Sequence, residues 1–119
     1  MALRQNVDSL IASMQGGDIL GAFDRWYADG VEMQENTSPA TVGKAANRVR
    51  EEQFLASVKE WKSLDIHAVA VDEASGVAFI EYGFSFINHD GQLVNYAQAA
   101  VQRWKDGKIA SERFYYNAG

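Results

Sequence analysis

The stretch WYADGVEMQEN, residues 26–36, decides how the rest of this chain is interpreted. It contains the end of an amphipathic helix, a predicted tight turn at Asp29-Gly30, and a short strand that carries carboxylates. Side chains alternate between the two faces of a strand, so Glu35 shares a face with Val31 and Met33. A carboxylate on an apolar face costs free energy unless that face lines a wet or functional space. The stretch therefore raises the question of what Glu35 faces.

Two short helices are predicted before this strand. Gly16-Gly17 ends the first helix, and Asp18 is a suitable N-cap for the second, which ends near Asp29-Gly30. Apolar residues spaced for one helix face are Val7, Leu10, Ile11 and Met14 in the first helix and Ile19, Ala22, Phe23, Trp26 and Tyr27 in the second. This pattern predicts a helical hairpin.

A third helix is predicted after the strand at 31–35 and a loop at 36–41. It extends from Gly43 to about Trp61, because apolar residues recur there at roughly the helical period. The predicted inward stripe is Ala46, Val49, Phe54, Val58 and Trp61. The charged residues between them, including Glu51 and Glu52, are interpreted as a solvent-facing surface.

The second half of the chain predicts four antiparallel strands, at 64–71, 77–87, 93–105 and 108–116. These segments are rich in β-branched and aromatic residues, and the turns between them include two Asp-Gly pairs. Helices followed by a long meander indicate an α+β fold with the helices on one face of a curved sheet.

Composition limits the classes of function. A chain of 119 residues suits one domain, 1–119, and the absence of cysteine excludes disulfides and thiolate chemistry. A net charge of −5 argues against a nucleic-acid partner, and no long apolar segment or signal peptide indicates a membrane partner, so a cytoplasmic protein is expected. We expect neither a metal site nor a cofactor, because no metal-binding histidine pair, dinucleotide fingerprint or phosphate loop occurs.

Four segments in this order resemble the nuclear transport factor 2-like superfamily, and within it SnoaL-like and ketosteroid-isomerase-like proteins. They are Asp18-Ile19, Trp26-Tyr-Ala-Asp29, Gly43-Lys-Ala-Ala46 and Arg103-Trp-Lys-Asp-Gly-Lys-Ile109. The resemblance implies a cone-shaped, curved antiparallel sheet wrapped around a long helix, with the order α-α-β-α-β-β-β-β. It also implies a mostly apolar pocket for a small hydrophobic molecule, and a homodimer through the outer sheet face.

The resemblance assigns a role to Glu35. Ketosteroid isomerases keep their proton-transferring carboxylate on the short strand after the Tyr-Ala-Asp segment, and that position is Glu35 here. Their two groups that stabilise the substrate oxyanion correspond to Leu10 and Ala100, which carry no polar atoms. Loss of such groups removes several kcal/mol of transition-state stabilisation, so the resemblance argues against steroid isomerase activity.

Further site residues follow from the same resemblance and from strand alternation. The catalytic candidates are Glu35, Tyr116, Gln98 and Glu112, and the candidate pocket residues are Trp26, Met33, Phe54, Tyr96, Trp104 and Phe114. The sequence does not fix the register of the strand at 93–105, so Tyr96 and Gln98 can lie in the pocket or on the outer face.

Two functions remain open at this point. The first is a cofactor-independent isomerase, cyclase or dehydratase that uses Glu35 as a general acid/base on a small apolar carbonyl compound. The second is a non-catalytic ligand-binding or dimerisation module, in which hydrogen bonds satisfy Glu35.

Overall fold

A computed structural model describes residues 2–117, which form three helices and one six-stranded sheet. The elements are α1 (Ala2–Gln15), α2 (Ile19–Trp26), β1 (Tyr27–Glu35), β2 (Thr41–Val42), α3 (Lys44–Ala56), β3 (Val58–Asp72), β4 (Val77–Asn88), β5 (Leu93–Lys105) and β6 (Lys108–Tyr116). The strand order is β2-β1-β6-β5-β4-β3 in a curved sheet that does not close on itself. The predicted α+β fold with a helical hairpin and a meander is confirmed. The predicted order lacked β2, and the sheet is not purely antiparallel, because β1 pairs in parallel with β6.

The helical hairpin covers one end of the sheet. α1 buries Val7 and Leu10 completely, and α2 buries Phe23 against the same core. The Asp18 carboxylate accepts a hydrogen bond from the backbone N–H of Gly21 at 3.0 Å and caps α2. Of the helices among residues 2–117, none has the length and apolar character that a membrane span requires.

β1 begins directly after α2, so the predicted tight turn at Asp29-Gly30 is wrong. Tyr27 already pairs with Ile109, and Glu32 pairs with Ser111. The chain thus advances five residues along β1 while it advances only two along β6. The extra residues of β1 form a bulge that contains Asp29-Gly30. Because the strand pairs from its first residue, the chain changes from helix to strand without a separate turn.

α3 ends at Ala56, and the predicted helix to about Trp61 is wrong in its last turn. β3 starts at Val58 and pairs with β4 along its whole length, so the backbone of 58–63 extends the sheet instead of the helix. The Phe54 and Trp61 rings, which suggested one helix face, contact each other across the helix–strand corner with centroids 6.1 Å apart.

α3 connects the two edges of the sheet, because it contacts β1 and β2 at one edge and β3 at the other. Asn47 fixes this arrangement from a buried position, 2% exposed. Its side-chain nitrogen lies 2.9 Å from the carbonyl oxygens of Thr41 and Gly43 and 3.3 Å from that of Val31. One amide thus ties α3 to β1 and β2.

We predict that Asn47→Ala destabilises the fold by roughly 2 kcal/mol, because it leaves buried carbonyl groups without a donor. Chemical denaturation measures the free energy of unfolding. Gln53→Ala, at an exposed position of the same helix, is the matched control and should change that free energy by less than about 0.5 kcal/mol. Equal effects of the two substitutions would contradict the role given to Asn47.

Candidate functional site

The cone opens into one large cavity between α3, the helical hairpin and the concave sheet face. Its volume is about 940 Å3, at the upper end of the range usual for small-molecule sites. Apolar residues from the hairpin, including Leu10, Ile19 and Phe23, line its inner part. Polar side chains from β1, α3, β4, β5 and β6 line the rest.

Aromatic rings form the wall near the cavity mouth. Phe84 stacks on Tyr96 with ring centroids 5.1 Å apart, and Tyr96 meets Tyr116 edge to face at 5.8 Å. Phe54 approaches Phe84 edge to face at 5.9 Å. These contacts hold a flat apolar surface beside the polar groups, which suits a ligand with a planar or apolar body.

Glu35 lies at this wall and is bound by two partners. Its Oε2 atom lies 2.5 Å from Nη2 of Arg50, and its Oε1 atom accepts a hydrogen bond from the Tyr116 hydroxyl. The Glu35 hydrogen bond, together with partial burial, raises the pKa of Tyr116 to about 12, so Tyr116 keeps its proton at neutral pH. The result is a carboxylate–phenol pair at the cavity wall with a guanidinium on its outer side.

Asn36 fixes the pairing of Glu35 with Tyr116. Its backbone N–H donates to the carbonyl oxygen of Phe114 at 2.8 Å, and its side-chain oxygen accepts from the backbone N–H of Tyr116 at 3.0 Å. Nε of Arg113 donates to the Asn36 carbonyl oxygen at 2.8 Å. The ends of β1 and β6 are therefore locked side by side, and their terminal side chains meet.

A second carboxylate, Glu112, is buried at the cavity floor and 4% exposed. It accepts hydrogen bonds from the Tyr27 hydroxyl and, at 2.8 Å, from Nε2 of Gln102. Nε1 of Trp104 donates to Oε1 of Gln102 at 3.0 Å. Because an indole nitrogen can only donate, the Gln102 amide must direct its oxygen to Trp104 and its nitrogen to Glu112. The Glu112 oxygen that faces this nitrogen therefore accepts a hydrogen bond whether the carboxyl group is charged or neutral.

Burial raises the pKa of Glu112 to about 7, although the bonds from Tyr27 and Gln102 act in the opposite direction. The charge of Glu51 raises it further. Burial, with the Glu112 charge, also raises the pKa of Tyr27 well above its usual range, so the phenol keeps its proton. A carboxyl group that titrates near neutrality in a cavity is a candidate proton-transfer group.

We predict a pH-dependent gain in stability for Glu112→Gln. The unfolded carboxyl ionises near 4.5 and the folded one near 7, so the contribution of Glu112 to stability is greatest below pH 4.5 and declines as pH rises to 7. The variant is neutral at every pH and does not lose this contribution. Its unfolding free energy relative to wild type should therefore rise by on the order of 3 kcal/mol between pH 4.5 and pH 8.

Denaturation curves of both proteins at several pH values test this expectation. Comparison with wild type cancels the titration of all other groups. A constant difference across the pH range would show that burial does not raise the pKa of Glu112.

α3 presents three polar side chains to the cavity, those of Asn47, Arg50 and Glu51, beside the ring of Phe54. The predicted inward stripe is wrong here, because Val49 is 49% exposed and Ala46 is also exposed. Glu51, interpreted from the sequence as solvent-facing, is a half-buried cavity residue. The sequence does contain a signal for the inward position of Glu51: it lies four residues after Asn47 and three before Phe54, so all three share one face of the helix.

The structure brings together most of the residues singled out from the sequence. Glu35, Tyr116, Gln98, Glu112, Met33, Phe54, Tyr96 and Phe114 all line the cavity. The register of β5 places Tyr96 and Gln98 on the concave face, where Nε2 of Gln98 donates to the Tyr82 hydroxyl at 2.5 Å. Leu10 lines the cavity, and Ala100 is buried in the core.

Trp26 and Trp104 do not line the cavity, and their placement in the pocket is corrected. Their rings pack against each other at 5.8 Å in the hydrophobic core, where Nε1 of Trp104 is used by Gln102. Nε1 of Trp26 has no hydrogen-bond partner within residues 2–117. Within the same residues, no group of three or more His, Asp or Glu side chains is arranged to hold a metal ion.

Comparison with known proteins identifies the fold. No family model and no curated protein sequence matches the chain. A protein of Mesorhizobium loti, provisionally named a SnoaL-like polyketide cyclase, superposes with a TM-score of 0.82 and 22% identity over 98% of this chain and 100% of its own. A provisionally named isomerase of Bacillus subtilis gives a TM-score of 0.78 at 17% identity, over 98% of this chain and 86% of its own.

An NTF2-like protein of unknown function from Cytophaga hutchinsonii has a TM-score of 0.76 and 17% identity, and the match covers 95% of this chain and 97% of that one. The chain therefore has the SnoaL-like, NTF2-like fold, as the sequence predicted.

Proposed function

We propose that the protein binds a small, largely apolar carbonyl compound in its cavity and transfers a proton on it without a cofactor. The observation that carries this proposal is a cavity of about 940 Å3 with the Glu35–Tyr116 pair set into its aromatic wall. Isomerisation, aldol-type cyclisation and dehydration each require a proton to be moved next to a carbonyl group. Carboxyl and phenol groups are suited to that work.

Glu35 acts in this proposal as a general acid/base, and Tyr116 as its hydrogen-bonded helper. Gln98 and Glu112 lie on the neighbouring strands β5 and β6 and face the same space. Gln98 contributes polar contacts, and Glu112, with its pKa near 7, is a second proton donor or acceptor. The apolar and aromatic lining binds the body of the ligand and keeps water from the reacting atoms.

One observation argues against steroid isomerisation, and a second is consistent with proton transfer at a carbonyl group in general. Leu10 and Ala100 offer no polar atom at the positions that would bind a steroid oxyanion. Proteins of the same fold include ones provisionally named cyclase and isomerase, which is consistent with proton transfer at a carbonyl. One fold hosts many activities, so the cavity residues carry the argument.

We predict that Glu35→Gln lowers turnover roughly 100-fold, because it removes a proton-transfer group while keeping the shape of the side chain. Thermal-shift screening of apolar ketones and enones identifies ligands, and product analysis then measures turnover. Glu32→Gln is the matched control, since Glu32 lies on the same strand but points to the outer face. Full turnover by Glu35→Gln would show that Glu35 is not the proton-transfer group.

A non-catalytic binding module remains the second candidate, favoured by one observation. The Glu35 carboxylate is already bound by Arg50 and Tyr116, as expected for a structural ion pair. Ligands that stabilise the protein strongly but are recovered unchanged, in wild type and variants alike, would support this alternative.

A homodimer through the outer sheet face forms part of the proposal. Phe79 and Tyr115, 48% and 44% exposed, lie on that face with Val101 and Ala99 between them. An exposed apolar patch on a flat sheet face is typical of a protein–protein interface. Because the patch lies on the side opposite the cavity, a second copy can bind without blocking the ligand.

Sedimentation at micromolar concentration should show a dimer for wild type and a monomer for Phe79→Asp, because the substitution places a charge in the apolar interface. Phe79 is half-exposed in the single chain, so the variant should fold. Val49→Asp replaces an equally exposed apolar residue on α3 and should remain a dimer. A monomeric wild type would refute this part of the proposal.

A further inference from the structure

Two side chains of α3 face the cavity with unused hydrogen-bonding capacity. They are Asn47 and Glu51, one turn apart, and both line the cavity. Neither belongs to the Glu35–Tyr116 pair or to the Glu112 group.

The Asn47 amide can be oriented in only one way. Its nitrogen approaches three backbone carbonyl oxygens, which can only accept, so the side-chain nitrogen must be the atom that faces them. The side-chain oxygen is left over, and no group among residues 2–117 donates to it. The Asn47 side chain is only 2% exposed and lines the cavity, so its oxygen offers the cavity a free hydrogen-bond acceptor.

Glu51 is the carboxylate in the cavity that lacks partners. Within the described part of the chain it accepts no hydrogen bond and forms no ion pair, whereas Glu35 and Glu112 each have two partners. Its neighbour Arg50 is directed to Glu35 instead. Burial raises the pKa of Glu51, the charge of Glu35 adds to the rise, and that of Arg50 opposes it.

Tyr82 is the complementary group on the sheet. Its hydroxyl oxygen accepts from Gln98, and its own hydrogen is donated to no group in residues 2–117. Burial raises the pKa of Tyr82, and the charges of Glu112 and Glu51 add to the rise, so the phenol keeps this hydrogen. The charge of Glu51 acts on both Tyr82 and Glu112, which is consistent with all three facing one space.

We propose that Glu51 accepts the proton from the substrate and that Tyr82 donates a hydrogen bond to the substrate carbonyl oxygen. This inference rests on the proposed function and deepens it. A ligand that fills the cavity removes water from the free oxygen of Asn47, which then needs a donor, so the substrate class is an apolar ketone that also carries a hydroxyl group.

The chemical step balances without a further reactant. The Glu51 carboxylate takes a proton from the carbon next to the carbonyl group, and the electron pair of that C–H bond becomes the C=C bond of an enolate. The carbonyl π pair moves to oxygen, where the Tyr82 hydroxyl stabilises the charge. Glu51 then returns the proton to the same carbon, which gives exchange. Turnover to a product requires a further proton transfer elsewhere on the substrate, which Glu35 carries out with Tyr116; Glu35 also keeps Arg50 away from Glu51.

Deuterium exchange into two model ketones tests the step. Benzoin carries a hydroxyl group beside its exchangeable C–H bond, and deoxybenzoin lacks it; NMR in D2O measures incorporation into both. We expect wild type to accelerate deuterium exchange, and to do so more for benzoin than for deoxybenzoin. The exchange rate should fall roughly 100-fold in Glu51→Gln and by a smaller factor in Tyr82→Phe. Glu52→Gln, which alters an exposed residue of α3 that does not line the cavity, should match wild type.

The outcomes separate the two proposals. Exchange that persists in Glu51→Gln overturns the role of Glu51 and leaves the proposed function standing. Absence of accelerated exchange with both ketones in wild type overturns both. Thermal unfolding of each variant establishes that it is folded.

A second measurement requires no substrate. Carboxyl-carbon NMR titration should place the pKa of Glu51 above the usual glutamate value of about 4.3. The charged groups around it are Glu35, Arg50 and Glu112, and Glu35→Gln should lower its pKa, because a like charge is removed and Arg50 is released. A Glu51 that titrates at or below the usual value overturns the inference.

Discussion

The parallel pairing of β1 with β6 is the contact on which the site depends. It joins β1, from the first half of the chain, to the last strand of the meander, and hydrogen bonds of Asn36 hold the two strand ends together. Glu35 and Tyr116, 81 positions apart, meet only because of this pairing. It also brings Tyr27, at the start of β1, within hydrogen-bond reach of Glu112 on β6.

Sequence reasoning located the β-strand groups of the site better than the helical ones. Strand alternation has a period of two, so the face of Glu35 follows from the apolar character of Val31 and Met33 alone. The side-chain partners of Glu35 could not be predicted, because Arg50 on α3 and Tyr116 on β6 lie 15 and 81 positions away along the chain. The resemblance implied that Glu112 and Tyr116 face inward, whereas the side on which Gln98 lies stayed open until the structure gave the register of β5.

Glu51 was missed for a physical reason. Hydrophobic periodicity identifies the buried face of a helix only when that face packs against a solid core. α3 instead covers an open cavity, whose wall can be polar, while its small apolar residues Ala46 and Val49 remain exposed. Trp26 and Trp104 were placed in the pocket because helix periodicity and strand alternation give the inward face of each, but neither pattern separates a side chain that lines the cavity from one that packs in the core.

The fixed amide of Gln102 has a consequence for ligand binding itself. Since its nitrogen always faces Glu112, any proton that Glu112 carries must lie on the oxygen directed to Tyr27. With a pKa near 7, this carboxyl group is partly charged at neutral pH. An apolar molecule that displaces solvent from the cavity floor favours the uncharged form, so its entry is accompanied by proton uptake. The heat of binding will then depend on the ionisation enthalpy of the buffer that supplies the proton.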